Sequence, residues 1–219
     1  MSPTAAFSHR RGPDRATALK RRAAAGILAL AALLTTTPPA GAETPAGGPV
    51  FDALLDGCGQ CHGADGNSVT PDVPSLAGQP ATFLETQLIL FRERLRRSEA
   101  MAPQVRGLDD PTVIALAAHY AALPPRAAPE AGNPALLAQG RQLSKAGRCG
   151  TCHLPDFAGR QQIPRLAGQR EDYLAMALAA YRDETRGGAD TTMIDVMRGT
   201  SDAEIEALAH FMARQGGQP

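Results

Sequence analysis

The chain has 219 residues, 43 % apolar and 20 % charged, with 22 basic side chains against 22 acidic ones and no basic stripe of the kind that marks a nucleic-acid binder. Aromatics make up only 4 % and tryptophan is absent, so a core of side chains alone would be thin and leaves room for another apolar body. All four cysteines, Cys58, Cys61, Cys149 and Cys152, fall in two Cys-x-x-Cys-His motifs roughly ninety residues apart.

In chain order, residues 1–42 come first and differ from the rest. Arg10, Arg11, Arg15, Lys20, Arg21 and Arg22 precede the twelve-residue apolar run AAAGILALAALL, and Ala40-Gly41-Ala42 follows. This order predicts a secretory signal peptide cut after Ala42. The run is short of the roughly 20 apolar residues a membrane span needs. Without this segment 16 basic residues face 21 acidic ones, and the excess is uneven: 43–130 holds six basic and eleven acidic, 131–219 ten of each. A lopsided field of this kind can orient a partner on approach.

From there the chain repeats itself at an offset of 90 to 92: CGQCH answers CGTCH, VPSLAGQP (73–80) answers IPRLAGQR (163–170), and RGLDDPTVIALAAHYA (106–121) answers RGTSDAEIEALAHFMA (198–213). Two tandem domains are expected, 43–126 and 127–219, joined near the proline-rich LPPRAAPEAGNP. Each reads as about three main helices with long loops. The first runs into the motif, with Phe51, Leu54, Leu55 and Cys58, or Leu136, Gly140 and Leu143, on one face. The second carries Leu84, Leu88, Phe91 and Leu95, or Leu174, Leu178 and Tyr181. The third starts at Asp110-Pro111 or the Ser201-x-x-Glu204 capping box and buries Val113, Leu116, Ala117 and Tyr120, or Ile205, Leu208, Ala209 and Met212. No stretch alternates convincingly as a strand, so the fold class is all-α.

Three chemistries compete for Cys-x-x-Cys. A redox dithiol belongs beside a βαβ pattern that is absent, and it does not explain the histidine. A zinc site needs its second pair within about 12–20 residues. Covalent haem accounts for every part: two thiols for the two vinyl groups, and a histidine held under the iron. Two haem c groups are therefore expected, at Cys58, Cys61 and His62, and at Cys149, Cys152 and His153. Attachment of this kind takes place outside the cytoplasm, in keeping with export.

Methionine is the usual sixth ligand in electron-transfer cytochromes. Met101 and Met193 each stand five residues before an Arg-Gly, in stretches read as helix-free, and are the expected ligands. Met197 competes with Met193. Met176 and Met212, at helical positions, read as core filler. His119 and His210 read as helix-surface histidines at non-equivalent positions. Arg92, Arg94, Arg96 and Arg97 read as a solvated helix face, with docking or pairing to haem carboxylates as the sharper option.

With both Cys-x-x-Cys-His motifs, the two P-x-L-A-G-Q segments (74–79 and 164–169), the loop methionines and the similar final helices in place, the chain resembles the dihaem cytochrome c4 family of tandem class I cytochrome c domains. The resemblance implies that the carbonyls of Pro74 and Pro164 accept hydrogen bonds from Nδ1 of His62 and His153. It implies a pseudo-twofold pair of domains passing electrons between irons. Leu154 departs from the pattern, for the first copy has Gly63 and the family commonly has glycine there. The implied role is a periplasmic electron carrier, not an enzyme, taking electrons from a quinol-oxidising complex or a dehydrogenase to a terminal oxidase. The alternative is the cytochrome subunit of a dehydrogenase such as a sulfide-oxidising flavocytochrome. A self-standing dihaem peroxidase or thiosulfate dehydrogenase would need one open or cysteine-ligated iron, and the Met101 and Met193 pair speaks against it.

Overall fold

The first helix of the repeat, α1, spans Pro49–His62 and carries the Cys-x-x-Cys-His of the N-terminal half in its last turns. It is followed by α2 (Ala81–Arg92), a short α3 (Met101–Val105) and α4 (Asp110–Ala122); α5 (Pro134–Ala146), α6 (Cys149–His153), α7 (Glu171–Arg182), α8 (Thr192–Met197) and α9 (Asp202–Ala213) make the C-terminal half. This computed structural model describes residues 47–129, 131–188 and 191–216, all within one unit, Ala42–Pro219. The expected signal segment and its cleavage after Ala42 lie outside the described residues. Among the described residues there is no strand, only an isolated bridge between Arg160 and Ile163.

Local chemistry sets the helix ends. Asp109 accepts from Thr112 N–H at the start of α4, Asn133 from Ala135 N–H at α5, and Ser201 with Glu204 closes the expected capping box on α9. The expected inward faces of α4 and α9 are buried. In the C-terminal half the leading helix does not run into the motif: α5 stops at Ala146, Arg148 turns left-handed at φ 53°, and α6 restarts at Cys149. The second helix ends earlier than its leucines suggest. Its chain turns at Arg94 (φ 59°), and Leu95 lies beyond the helix, exposed. Gly140 is needed where α5 crosses α9, because a Cβ there would run into the Ala207 carbonyl oxygen.

The two halves meet through the same segment of each. Gln79 Nε2 donates to the Arg165 carbonyl (2.8 Å) while Arg165 N–H donates to Gln79 Oε1 (3.0 Å). Gln169 Nε2 donates to the Ser75 carbonyl (2.8 Å) while Ser75 N–H donates to Gln169 Oε1 (2.8 Å). Ser75 and Arg165 are equivalent in the repeat, so the contact is reciprocal, as across a twofold axis. The proline-rich connection is held down as well. Asn67 donates to the Pro124 carbonyl and accepts from Arg126 N–H, and Pro125 lies against Gly78.

Candidate functional site

His62 closes α1 and His153 closes α6, and both are buried. Each ring is set by a carbonyl. His62 Nδ1 lies 2.8 Å from Pro74 O and His153 Nδ1 lies 2.9 Å from Pro164 O. A carbonyl only accepts, so Nδ1 carries the proton and Nε2 is the nitrogen left to bind a metal. Burial pulls both imidazoles below their ordinary pKa against the opposing effect of the proline hydrogen bond. The neutral form that can ligate is thereby favoured.

The return of each proline to its histidine is a backbone feature. In the N-terminal half Leu76 and Ala77 N–H donate to the Gly66 carbonyl; in the C-terminal half Leu166 and Ala167 N–H donate to the Phe157 carbonyl. These paired bonds fold the P-x-L-A-G-Q segment back over the motif. The thiols sit alongside: Cys58 and Cys149 are half-buried, Cys61 and Cys152 exposed, and none is in a disulfide. Burial raises the Cys58 thiol, opposed by a hydrogen bond with Tyr120; burial raises Cys149 likewise, opposed by Ser144.

This donor set fits covalent haem. Two thiols and one oriented imidazole stand together in each half, and the charge nearby also fits. Arg96 and Arg186, equivalent in the repeat and half-buried, both donate to the Tyr173 hydroxyl. Among the described residues neither takes part in an ion pair with a carboxylate, which suits a group that brings carboxylates of its own. Arg96 also lies over the Phe91 ring and donates to Gln87, while Arg92 pairs with Glu93 and Asp110. Arg92, Arg94, Arg96 and Arg97 are therefore not one solvated face: only Arg94 and Arg97 stay exposed.

The methionines separate clearly. Met101 and Met193 are half-buried, and they lie in α3 and α8, so the stretches expected to be helix-free each contain a short helix. Met193 packs against the buried cluster of the C-terminal half. Met197 is 3 % exposed inside that cluster, and Met212 is buried there as expected. Met176 is 44 % exposed and fills no core, because it sits on the outward side of α7 from Leu174 and Leu178. His119 is half-buried, edge-on to Phe51 and Tyr120. His210 is not at the surface. It is 5 % exposed, accepting from Asn133 N–H and donating to Glu171, which also binds Arg214. This network pins α9 to α7 and to the start of α5.

Sequence reasoning missed Gln79, Gln169 and Tyr173. The first two carried a signal, being the same residue at the same place in both copies and buried at 5 % and 6 % exposure.

A family model described as Cytochrome c matches residues 137–215. Cytochrome c4 of Thiocapsa roseopersicina is 36 % identical over 169 residues, covering 71 % of this chain and 85 % of that protein. A thiosulfate dehydrogenase electron acceptor of Thiomonas intermedia (strain K12) is 32 % identical, over 74 % of this chain and 80 % of that one. The crystal structure of reduced recombinant cytochrome c4 from Pseudomonas stutzeri superposes with a TM-score of 0.69 at 29 % identity, covering 75 % of this chain and 98 % of that chain. No described helix is long and apolar enough to cross a membrane. The oriented histidines, the paired thiols and these likenesses agree: the chain belongs to the cytochrome c4 family, haem-binding proteins of electron transport.

Proposed function

We propose that this protein is a periplasmic dihaem electron carrier built of two domains, 43–126 and 127–219, which takes electrons from a quinol-oxidising complex or a dehydrogenase and delivers them to a terminal oxidase. The observation that carries it is the pair of buried histidines, each directly after a Cys-x-x-Cys and each held through Nδ1 by a proline carbonyl at 2.8 or 2.9 Å. Covalently held haem supplies a one-electron Fe(III)/Fe(II) couple. The chain's part is to hold it. Cys58 with Cys61 and Cys149 with Cys152 provide the thioether links. His62 and His153 provide the nitrogen ligands. Met101 and Met193 provide thioether sulfur, which favours the reduced metal. Burial of the imidazoles and the glutamine hydrogen bonds between the halves would limit reorganisation when the charge changes.

Among dehydrogenase donors, likeness to a thiosulfate dehydrogenase electron acceptor favours a thiosulfate-oxidising partner. With Met101 and Met193 as its sulfur ligands, each metal would offer no open position to a substrate, which favours a carrier over an enzyme.

The test is an optical spectrum of the matured protein into the near infrared, repeated after reduction and exposure to carbon monoxide. The expected result is a sulfur-to-iron charge-transfer band at two-haem intensity that halves in Met101→Ala and in Met193→Ala and persists in Met197→Ala, with no rapid carbon monoxide binding by the parent. A parent with half the band and one haem that binds carbon monoxide at once would overturn the carrier reading.

A further inference from the structure

We infer that Gln79 and Gln169 are positioning residues that act across the joint, each tuning the histidine ligand of the opposite half through a single peptide amide. The inference rests on the proposal that His62 and His153 ligate haem iron.

The amide between Pro164 and Arg165 is bonded at both ends. Its carbonyl accepts from His153 Nδ1 at 2.9 Å, and its N–H donates to Gln79 Oε1 at 3.0 Å. The amide between Pro74 and Ser75 does the same, accepting from His62 Nδ1 at 2.8 Å and donating to Gln169 Oε1 at 2.8 Å. Each glutamine's orientation follows from its other bond. Nε2 donates to the carbonyl of residue 165 or 75, both at 2.8 Å, which leaves Oε1 for the N–H. Both side chains are almost fully buried, so water does not compete for these groups.

An acceptor on an amide N–H draws electron density toward the amide oxygen and makes it a better acceptor, a cooperative gain of roughly 10–30 % per bond, the size that a chain of hydrogen bonds shows in condensed phases. A stronger pull on Nδ1–H makes Nε2 a stronger donor to a metal. Stronger donation from the histidine favours the oxidised metal and lowers its reduction potential. The relay is crossed. Gln79 belongs to the N-terminal half and acts on His153, while Gln169 belongs to the C-terminal half and acts on His62. An electrostatic change in one half is thus felt at the other's ligand without any movement of the backbone.

The experiment uses the full matured chain with Gln79→Met and Gln169→Met, side chains of similar length that lack the acceptor. Two readouts are taken: the midpoint potential of each haem, and the NMR resonance and exchange rate of each histidine Nδ1–H in the reduced protein. In Gln79→Met the expected result is a raised potential for the haem at Cys149 and Cys152, with faster exchange of His153 Nδ1–H and the other haem unmoved. Gln169→Met should give the mirror image. Gln79→Asn, one carbon too short to reach, should reproduce the first pattern and serves if the methionine variant does not mature. Unchanged potentials, a shift confined to the variant's own half, or an equal shift of both haems from a loosened joint would each overturn the relay while leaving the two-haem reading intact. Fewer than two haems by haemochrome in the parent would overturn both.

Discussion

The N-terminal half places glycine where its backbone turns left-handed after the motif, at Gly63 and Gly66 (φ 85° and 73°), and the C-terminal half places Leu154 and Phe157 there, at φ 70° and 58°. The two segments follow the same path with different side chains. What is held constant is the return of a proline carbonyl to the histidine, and the C-terminal half keeps that path despite strain of order 1–3 kcal/mol for each non-glycine residue in this region. Phe157 brings a compensation. Its ring is buried edge-on to Phe211 at 5.8 Å. At Gly66 the same space is taken, for a Cβ would lie 3.0 Å from the Tyr120 ring. In the repeat Tyr120 stands opposite Met212, so the halves trade Gly66 and Tyr120 for Phe157 and Met212. The connected cluster of buried side chains is short in the N-terminal half, Leu84, Ala117 and Tyr120, and longer in the C-terminal half, where Leu174, Leu178, Ile205, Leu208 and Phe211 join it.

The largest expected effect follows from that inequality. Removing the haem links with Cys58→Ala and Cys61→Ala should leave α1, α2 and α4 without amide protection. Cys149→Ala with Cys152→Ala should leave α5, α7 and α9 partly protected. Hydrogen exchange followed by mass spectrometry compares them, and equal loss in both would break the distinction between the halves. Next, Phe157→Gly should destabilise the protein by about 2 kcal/mol, the cost of a large ring lost from a core less the left-handed strain that glycine releases. Adding Met212→Tyr should restore part of it, and a thermal double-mutant cycle with no coupling would refute the trade of side chains.

Smaller still, Leu154→Gly should stabilise by about 1 kcal/mol by removing left-handed strain, whereas Gly63→Leu should destabilise by more. There the new Cβ would meet Asn67 O at 2.5 Å. Denaturant midpoints of the two variants check the opposite signs. The smallest effect concerns pH. Burial tends to raise the Glu171 carboxyl, but Arg214 and His210 together hold it below its ordinary value. A depressed carboxyl stabilises the fold above the unfolded-state pKa of about 4.3 and loses that contribution as pH falls through the folded value. Glu171→Gln should therefore flatten the acid limb of the stability curve, with little change in slope near neutrality.

Much of the site was legible because spacing is covalent information. The cysteines and the histidine of each motif are adjacent in the chain, and the capping box and the α4 and α9 faces are local patterns. The proline carbonyls came only through the family resemblance, since a backbone oxygen leaves no trace in side-chain chemistry. His210 was misread because an amphipathic pattern gives a face but not what packs on it; its burial depends on Glu171 and Asn133, 39 and 77 residues away. Met176 was misread for the same reason. The short α3 and α8 had too few residues to show a period. Leu154 pointed to its own oddity, but only the structure shows that it keeps the glycine's conformation.

The reciprocal glutamine joint has a consequence for how such a chain can arise. A contact that each copy makes with the other's equivalent backbone is self-complementary, so a one-copy ancestor pairing with itself through this segment would have gained both clamps from a single glutamine. In a single chain holding two copies, each clamp can be changed without the other. The two clamps are not identical: Gln169 Oε1 also accepts from Arg170 N–H, while Gln79 is followed by Pro80, which has no such hydrogen to give. Symmetry of the joint thus permits a pair of independent adjustments.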